Sequence, residues 1–339
     1  MKTTDLTNKR IIISRTDSIG DVLLTLPMCA WIKSTYPSAT ILFLGKGYTK
    51  SVVECYDLVD EFIDWKNFEN QSKVEQLEKF RSFNADAIIH VFPNKEIASL
   101  AKKVRISTRV GTSHRSYHLL TCTHRPNFTR KRSDLHESQL NHELLRPFGL
   151  TDLPSLEDIS KATTHFHAPS VDLPDFVTKA LQNEVKSIIL HPKSQGSARE
   201  WPMEKYSALT NELIKQDFTV FFTGTQAEGD AFRSQIPTHP NVIDTTGKLS
   251  LEELIAFISK VGFLLACSTG PLHIAGYLGI NTVGFFVPKR PIHPGRWKAL
   301  GPNVSILVND PNCENCKKKS DCNCIADISV DRVIDLVVD

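Results

Sequence analysis

The chain has 339 residues, 41% apolar and 23% charged, with a formal net charge of +2. That length and usage support about two packed domains and exclude a disordered, fibrous or polycationic protein. No apolar run approaches the roughly 18 residues of a membrane span, and the N-terminal MKTTDLTNKR lacks the apolar region of a secretory signal, so the chain reads as cytoplasmic, with a peripheral place at the inner membrane surface left open.

In chain order, short apolar, β-rich runs recur: RIIIS, ILFLG and AIIHVF, then SIILHP, TVFFTG, NVIDTTG, FLLACSTG and TVGFFVP. Helical patterns at 75–83, 203–216 and 251–261 separate several of them. Buried strands alternating with helices predict parallel sheets of βαβ units. Residues 151–175 hold three prolines and little periodicity and read as a linker. The expected architecture is α/β, with two Rossmann-like domains over 1–165 and 166–339 facing each other across a cleft.

Open parallel sheets bind ligands beyond the carboxyl ends of their strands, which puts the chemistry at 15–21, 191–201, 223–228 and 267–273. In the first loop, RTDSIGD has one glycine and is not a dinucleotide fingerprint. Asp21 there is open to two readings: an N-cap for the helix that follows, or a catalytic base at the rim of a cleft. Nine basic residues, three histidines and no acid stand between Lys102 and Arg132. Such a run is either a solvated face or a field that concentrates anionic ligands. Arg109, His114, Arg115 and Arg130 are its candidate acceptor-binding residues.

Further along, HPKSQGSAREWP supplies Lys193 and Arg199, which read as surface charges or as phosphate ligands. Glu228 in TGTQAEGD reads as a helix-terminal acid or as a ribose acceptor. In CSTGPLHIAGYLG a strand gives way to a helix that opens on Gly270 and Pro271. The N–H groups around Thr269 and Gly270 form a natural phosphate site, and His273 sits in the first turn. Eight cysteines are present, four of them in CENCKKKSDCNC. Without a signal peptide a disulfide framework is not expected. Cys313, Cys316, Cys322 and Cys324 can form a tetrahedral structural site, but the C-x-C arm fits the usual zinc spacing only in part. The reading therefore takes a reduced segment, with no metal and no cofactor in the chemistry. A nucleic-acid partner is not expected, since only Tyr117 and Phe128 interleave the basic run.

Taken together, SIGDVLLTLP, EWPMEKY after a histidine-bearing loop, and STGPLHIAGYLGINTVGFF followed by RWKALGP resemble glycosyltransferase family 9, the lipopolysaccharide heptosyltransferases. The resemblance covers nearly the whole chain. It implies a GT-B fold, with an N-terminal acceptor domain and a C-terminal domain for a nucleotide-sugar donor. The activity it implies is inverting, metal-independent transfer of heptose, usually from ADP-heptose, to an anionic lipopolysaccharide core acceptor at the membrane surface. It places Asp21 as the catalytic base, Arg199 where the family usually has a lysine, and Glu228 as the ribose acid. Thr269, Gly270 and His273 fall in the donor-phosphate motif. Ser268 stands where the family commonly has Asp, so the transferase assignment is firmer than the identity of the sugar. A GT-B epimerase or hydrolase acting on a nucleotide sugar is the alternative. Asp21 lies in the half of the chain opposite the phosphate motifs, as an acceptor-side base requires, and this tips its reading toward catalysis.

Overall fold

A computed structural model describes residues 3–131, 133–181, 186–318 and 321–338. Two compact units divide the chain, Met1–His167 and Ala168–Asp339. In the first, strands β1 (Arg10–Ser14), β2 (Thr40–Gly45), β3 (Glu61–Asp64), β4 (Ala87–His90) and β5 (Thr108–Gly111) pair in the order β3-β2-β1-β4-β5. In the second, β6 (Ser187–His191), β7 (Thr219–Phe222), β8 (Val242–Asp244), β9 (Phe263–Cys267), β10 (Asn281–Phe285) and β11 (Val304–Leu307) pair in the order β11-β10-β9-β6-β7-β8. Every strand pair is parallel.

The central strands are buried on both faces, which is why they read as unbroken apolar runs rather than alternating ones. Ile11, Ile12 and Ile13 of β1 and Ile188, Ile189 and Leu190 of β6 are all fully buried. In each sheet the strand order reverses beside the first strand, between β1 and β4 and between β6 and β9. Crevices at such switch points are where doubly wound sheets hold ligands.

The helices begin where sequence chemistry places a stop for orphan N–H groups. Ser72 with Glu75, Thr225 with Glu228, and Ser250 with Glu253 each form a reciprocal capping box. The helices expected at 75–83, 203–216 and 251–261 span Lys73–Ser82, Met203–Lys215 and Leu251–Ile258.

The stretch read as a linker is more ordered than its prolines suggest. Ser155 caps the helix Leu156–Lys161, a 3-10 turn follows at Ala162–His165, and Phe166 bridges to Tyr56. Residues 151–155 and 167–174 lack helix or strand. A two-turn helix is too short to show periodicity, and burial of Ile159 and Phe166 holds it to the first unit. Among the described residues, no helix is long and apolar enough to cross a membrane.

Candidate active site

In the first unit β1 delivers Arg15 to the carboxyl edge of the sheet, where it is almost fully buried. Its guanidinium gathers three carboxylates: Nε donates to Asp17 at 2.7 Å, Nη2 to Asp21, and Nη1 to Glu137 at 3.5 Å. Glu137 is buried too and also accepts from Arg130 Nε at 2.9 Å. Arg130 Nη2 donates to Asn141 at 2.8 Å, and Asn141 in turn donates to the Leu24 carbonyl at 3.0 Å. The network ties the helix that carries Asp21, Ile19–Leu23, to the helix Glu137–His142.

The cap alternative for Asp21 does not describe what its side chain does. Ser18 occupies the N-cap, and Asp21 lies in the first turn, accepting from Arg15 on one oxygen and from the Ser18 hydroxyl on the other. Its side chain keeps 18% exposure, so one edge of the carboxylate reaches solvent. Burial lifts its neighbour Asp17 to about 6; the Arg15 charge opposes that shift and the Asp21 charge adds to it. Burial works against the Arg15 charge, but the three carboxylates outweigh it and raise its pKa. The site holds a carboxylate fixed in direction by a permanent cation, beside a second carboxyl that titrates near neutrality.

The four candidate acceptor residues divide. The Arg109 guanidinium is turned inward onto the carbonyls of Thr121 and Ile106, and Arg130 is bonded to Glu137 and Asn141. His114 and Arg115 are exposed, as are Lys102, Lys103, Arg105, Arg125 and Lys131. Arg132 lies outside the described residues. Beside Arg115, Leu119 and Leu120 are also exposed.

In the second unit two loops meet at the β6/β9 switch point, and a third follows the neighbouring strand β7. After β6, Glu200 organises the loop: its carboxylate accepts from the Ser194 N–H at 2.8 Å and from Lys193 at 2.8 Å. Trp201 then anchors the chain, stacked on Phe285 with ring centres 4.8 Å apart and donating to the Ile328 carbonyl at 3.1 Å. Arg199 donates through Nη1 to the Cys322 carbonyl and sulfur, at 3.0 and 3.2 Å. After β9, Ser268 accepts at its carbonyl from the Ser197 hydroxyl at 3.5 Å, which brings the two loops together. Thr269 is the N-cap of the helix Gly270–Tyr277, and its hydroxyl is buried with no hydrogen-bond partner among the described residues. Pro271 follows at the helix start, and His273 is buried in the first turn. After β7, Glu228 closes its capping box by accepting from the Thr225 N–H at 2.7 Å. His191, at the end of β6, bonds the Thr223 hydroxyl at 3.0 Å, and burial holds it down at about 4.

The carboxyl edge of this sheet therefore collects Lys193, Arg199, Glu228, Ser268, Thr269, Gly270 and His273. The first-turn N–H groups of the Gly270 helix, its dipole and a partnerless buried hydroxyl all suit an anion. Glu200, Arg15, Asp17 and Glu137 were not singled out in the sequence. Glu200 was within reach, lying next to Trp201 and one residue beyond Arg199. The pairing of Arg15 with Glu137 spans 122 positions and has no local signature.

The sequence model of glycosyltransferase family 9 (heptosyltransferase) matches residues 74–325. The chain belongs to glycosyltransferase family 9. A relative within this group, the lipopolysaccharide core heptosyltransferase OpsX of Haemophilus influenzae, is 23% identical over 331 residues, covering 92% of this chain and 89% of the relative. The crystal structure of a family 9 glycosyl transferase from Veillonella parvula matches with a TM-score of 0.79 at 22% identity, covering 99% of both chains. The E. coli heptosyltransferase WaaC with ADP matches with a TM-score of 0.73 at 16% identity, covering 97% of this chain and 99% of that one. The fold is thus the α/β GT-B fold of the family 9 transferases, and the protein is a glycosyltransferase.

Proposed function

We propose that this family 9 enzyme transfers a heptose from ADP-heptose to an anionic lipopolysaccharide core acceptor, with inversion and without a catalytic metal. The observation that carries the donor side is the β6/β9 switch point, where Thr269, whose buried hydroxyl has no partner among the described residues, holds the N-cap position of a helix beside the cation-bearing loop of Lys193 and Arg199. A diphosphate fits that chemistry, because helix N–H groups and cations stabilise charge that grows as it departs.

In the transfer an acceptor hydroxyl oxygen bonds to the anomeric carbon while the bond from that carbon to the phosphate oxygen breaks. The bonding pair leaves with the diphosphate, and the hydroxyl proton passes to Asp21. Attack opposite the leaving group inverts the centre. Arg15 orients the Asp21 carboxylate, and Asp21 is the catalytic residue. The exposed cations around Arg115, with Leu119 and Leu120 beside them, suit an acceptor that carries both phosphate and lipid. That supports a working position at the cytoplasmic face of the inner membrane.

The test is turnover of ADP-heptose with a lipid-linked core acceptor in buffer containing EDTA and no added divalent cation. Release of ADP with formation of the inverted glycoside is expected; a need for added magnesium or manganese, or a retained anomer, overturns the mechanism. Arg199→Ala is expected to lower kcat/KM for the donor about tenfold or more, on the scale of a charge-assisted hydrogen bond. Normal use of donor by that variant removes Arg199 from the site.

On the acceptor side the informative substitution is Arg115→Glu, since Arg130 is bound up with Glu137. It is expected to raise the acceptor KM and flatten its dependence on salt while leaving donor KM unchanged. An unchanged salt slope would make the basic run a solvated face.

A further inference from the structure

Four cysteines near the C-terminus have no part in the transfer described above. Cys313 is the N-cap of the short helix Glu314–Lys317 and Cys316 lies within it, and Cys322 and Cys324 return to meet them. All four sulfurs lie within 4.8 Å of one another. A tetrahedron with metal–sulfur bonds of about 2.3 Å has edges of about 3.8 Å, so four convergent sulfurs at this spacing bracket a single ion. Cys316 and Cys324 are buried in the core of the second unit, with Cys313 and Cys322 packed against it. Two donors point at the sulfurs: the Cys316 N–H at Cys313 Sγ, 3.5 Å, and Arg199 Nη1 at Cys322 Sγ, 3.2 Å. N–H groups aimed at sulfur are the outer-shell bonds that steady metal thiolates, and a guanidinium offsets the net negative charge of four thiolates on a divalent ion. An all-sulfur, tetrahedral donor set selects zinc or iron over magnesium or calcium.

We propose that Cys313, Cys316, Cys322 and Cys324 hold one thiophilic transition-metal ion, and that the loaded knuckle fixes Arg199 within the donor loop. The first half stands on the sulfur geometry alone. The second rests on the donor reading above, because only then does the direction of Arg199 matter to a ligand. The Cys322 carbonyl and sulfur both accept from Arg199, so the knuckle sets where its guanidinium points. The ion has no role at the reacting carbon. Bound by four cysteines in and against the core, it is expected to outlast EDTA in the assay.

The experiment begins with elemental analysis of the full chain, purified under reducing conditions and desalted. Roughly one zinc or iron per chain is expected, with cobalt uptake from metal-depleted growth giving the visible bands of a tetrahedral cobalt thiolate. A metal-free chain that takes up no cobalt, or one whose mass shows two disulfides among these cysteines, overturns the site. None of these measurements needs a cysteine variant, so misfolding of a variant cannot obscure them.

The coupling is read by ADP affinity. Depleting the metal is expected to raise the Kd for ADP about tenfold in the unsubstituted chain and to leave it unchanged in Arg199→Ala. An equal rise in both chains, or no rise in either, overturns the positioning role. A fully loaded enzyme that does not bind ADP removes that role together with the donor reading, while the metal analysis still decides the site itself.

Discussion

Asp21→Asn is expected to lower kcat by about 10²-fold or more while leaving donor affinity within about a factor of two. The substitution keeps the size of the side chain and both of its contacts. The amide oxygen can still accept from Arg15, and the amide N–H₂ can turn to the Ser18 oxygen. What it loses is the ability to take a proton in the transition state. Because the Asp21 carboxylate accepts from Arg15 and Ser18 and from no backbone N–H among the described residues, helix stability is expected to change little, and a thermal melt of the variant checks that. The neighbouring Asp17 sharpens the test, since its carboxyl titrates at about 6 and lies against the same guanidinium. Were Asp17 the base, Asp17→Asn would abolish turnover and Asp21→Asn would be mild. The opposite ranking is expected, because Asp21 lies in the helix that the Arg130–Asn141 network holds in place.

How much of this was readable in the sequence depends on where each residue sits in its sheet. The eight strands expected from apolar runs are the seven interior strands and β8. The three not expected, β3, β5 and β11, are all edge strands, with sequences EFID, TRVG and VSIL. An edge strand is paired on one side and partly solvated, so it needs no continuous apolar run and leaves a weak signal. The loops proposed for the donor were legible because each follows a strong interior strand and carries its own local chemistry: Lys193 and Arg199 after β6, Thr269 and Gly270 after β9. The proposed base was legible only as a choice, since an acid in a first helical turn can also serve the backbone. The Asp21 carboxylate touches only the nearby Arg15 and Ser18 among the described residues, and the Glu137 and Arg130 that complete the network join it only when distant segments fold onto one another. The same holds for the bond from Arg199 to Cys322, which joins a loop to a cysteine segment 123 positions away.

Acid is expected to destabilise both units, beginning near pH 6.5, through histidines that the fold buries uncharged. Burial holds His90 at about 3, the neighbouring His118 and Arg109 charges adding to it, and holds His142 at about 4 despite its bond to the Ser138 carbonyl. His191 in the second unit is held at about 4 by burial, against the opposing charges of Glu228 and Glu200. A histidine whose folded pKa is depressed gives stability that is present above the unfolded value and lost as pH falls toward the folded one. Each such group removes about 1.4 kcal/mol per pH unit below about 6.5, so His191 alone is expected to take about 3 kcal/mol from the second unit between pH 6.5 and 4. In the first unit His90 and His142 act together, but Asp17 opposes them. Its folded value of about 6 lies above the unfolded carboxyl range, so the stability it gives is complete at low pH and lost as pH rises through 6. Two variants separate these contributions in urea titrations between pH 8 and 4. Asp17→Asn removes the opposing group and is expected to steepen the acid loss in the first unit. His90→Leu is expected to flatten it and to be neutral or stabilising at pH 7, because neither ring nitrogen of His90 has a hydrogen-bond partner among the described residues. If His90→Leu leaves the acid slope unchanged and costs several kcal/mol at pH 7, the imidazole is held by a polar contact rather than buried as an uncharged ring.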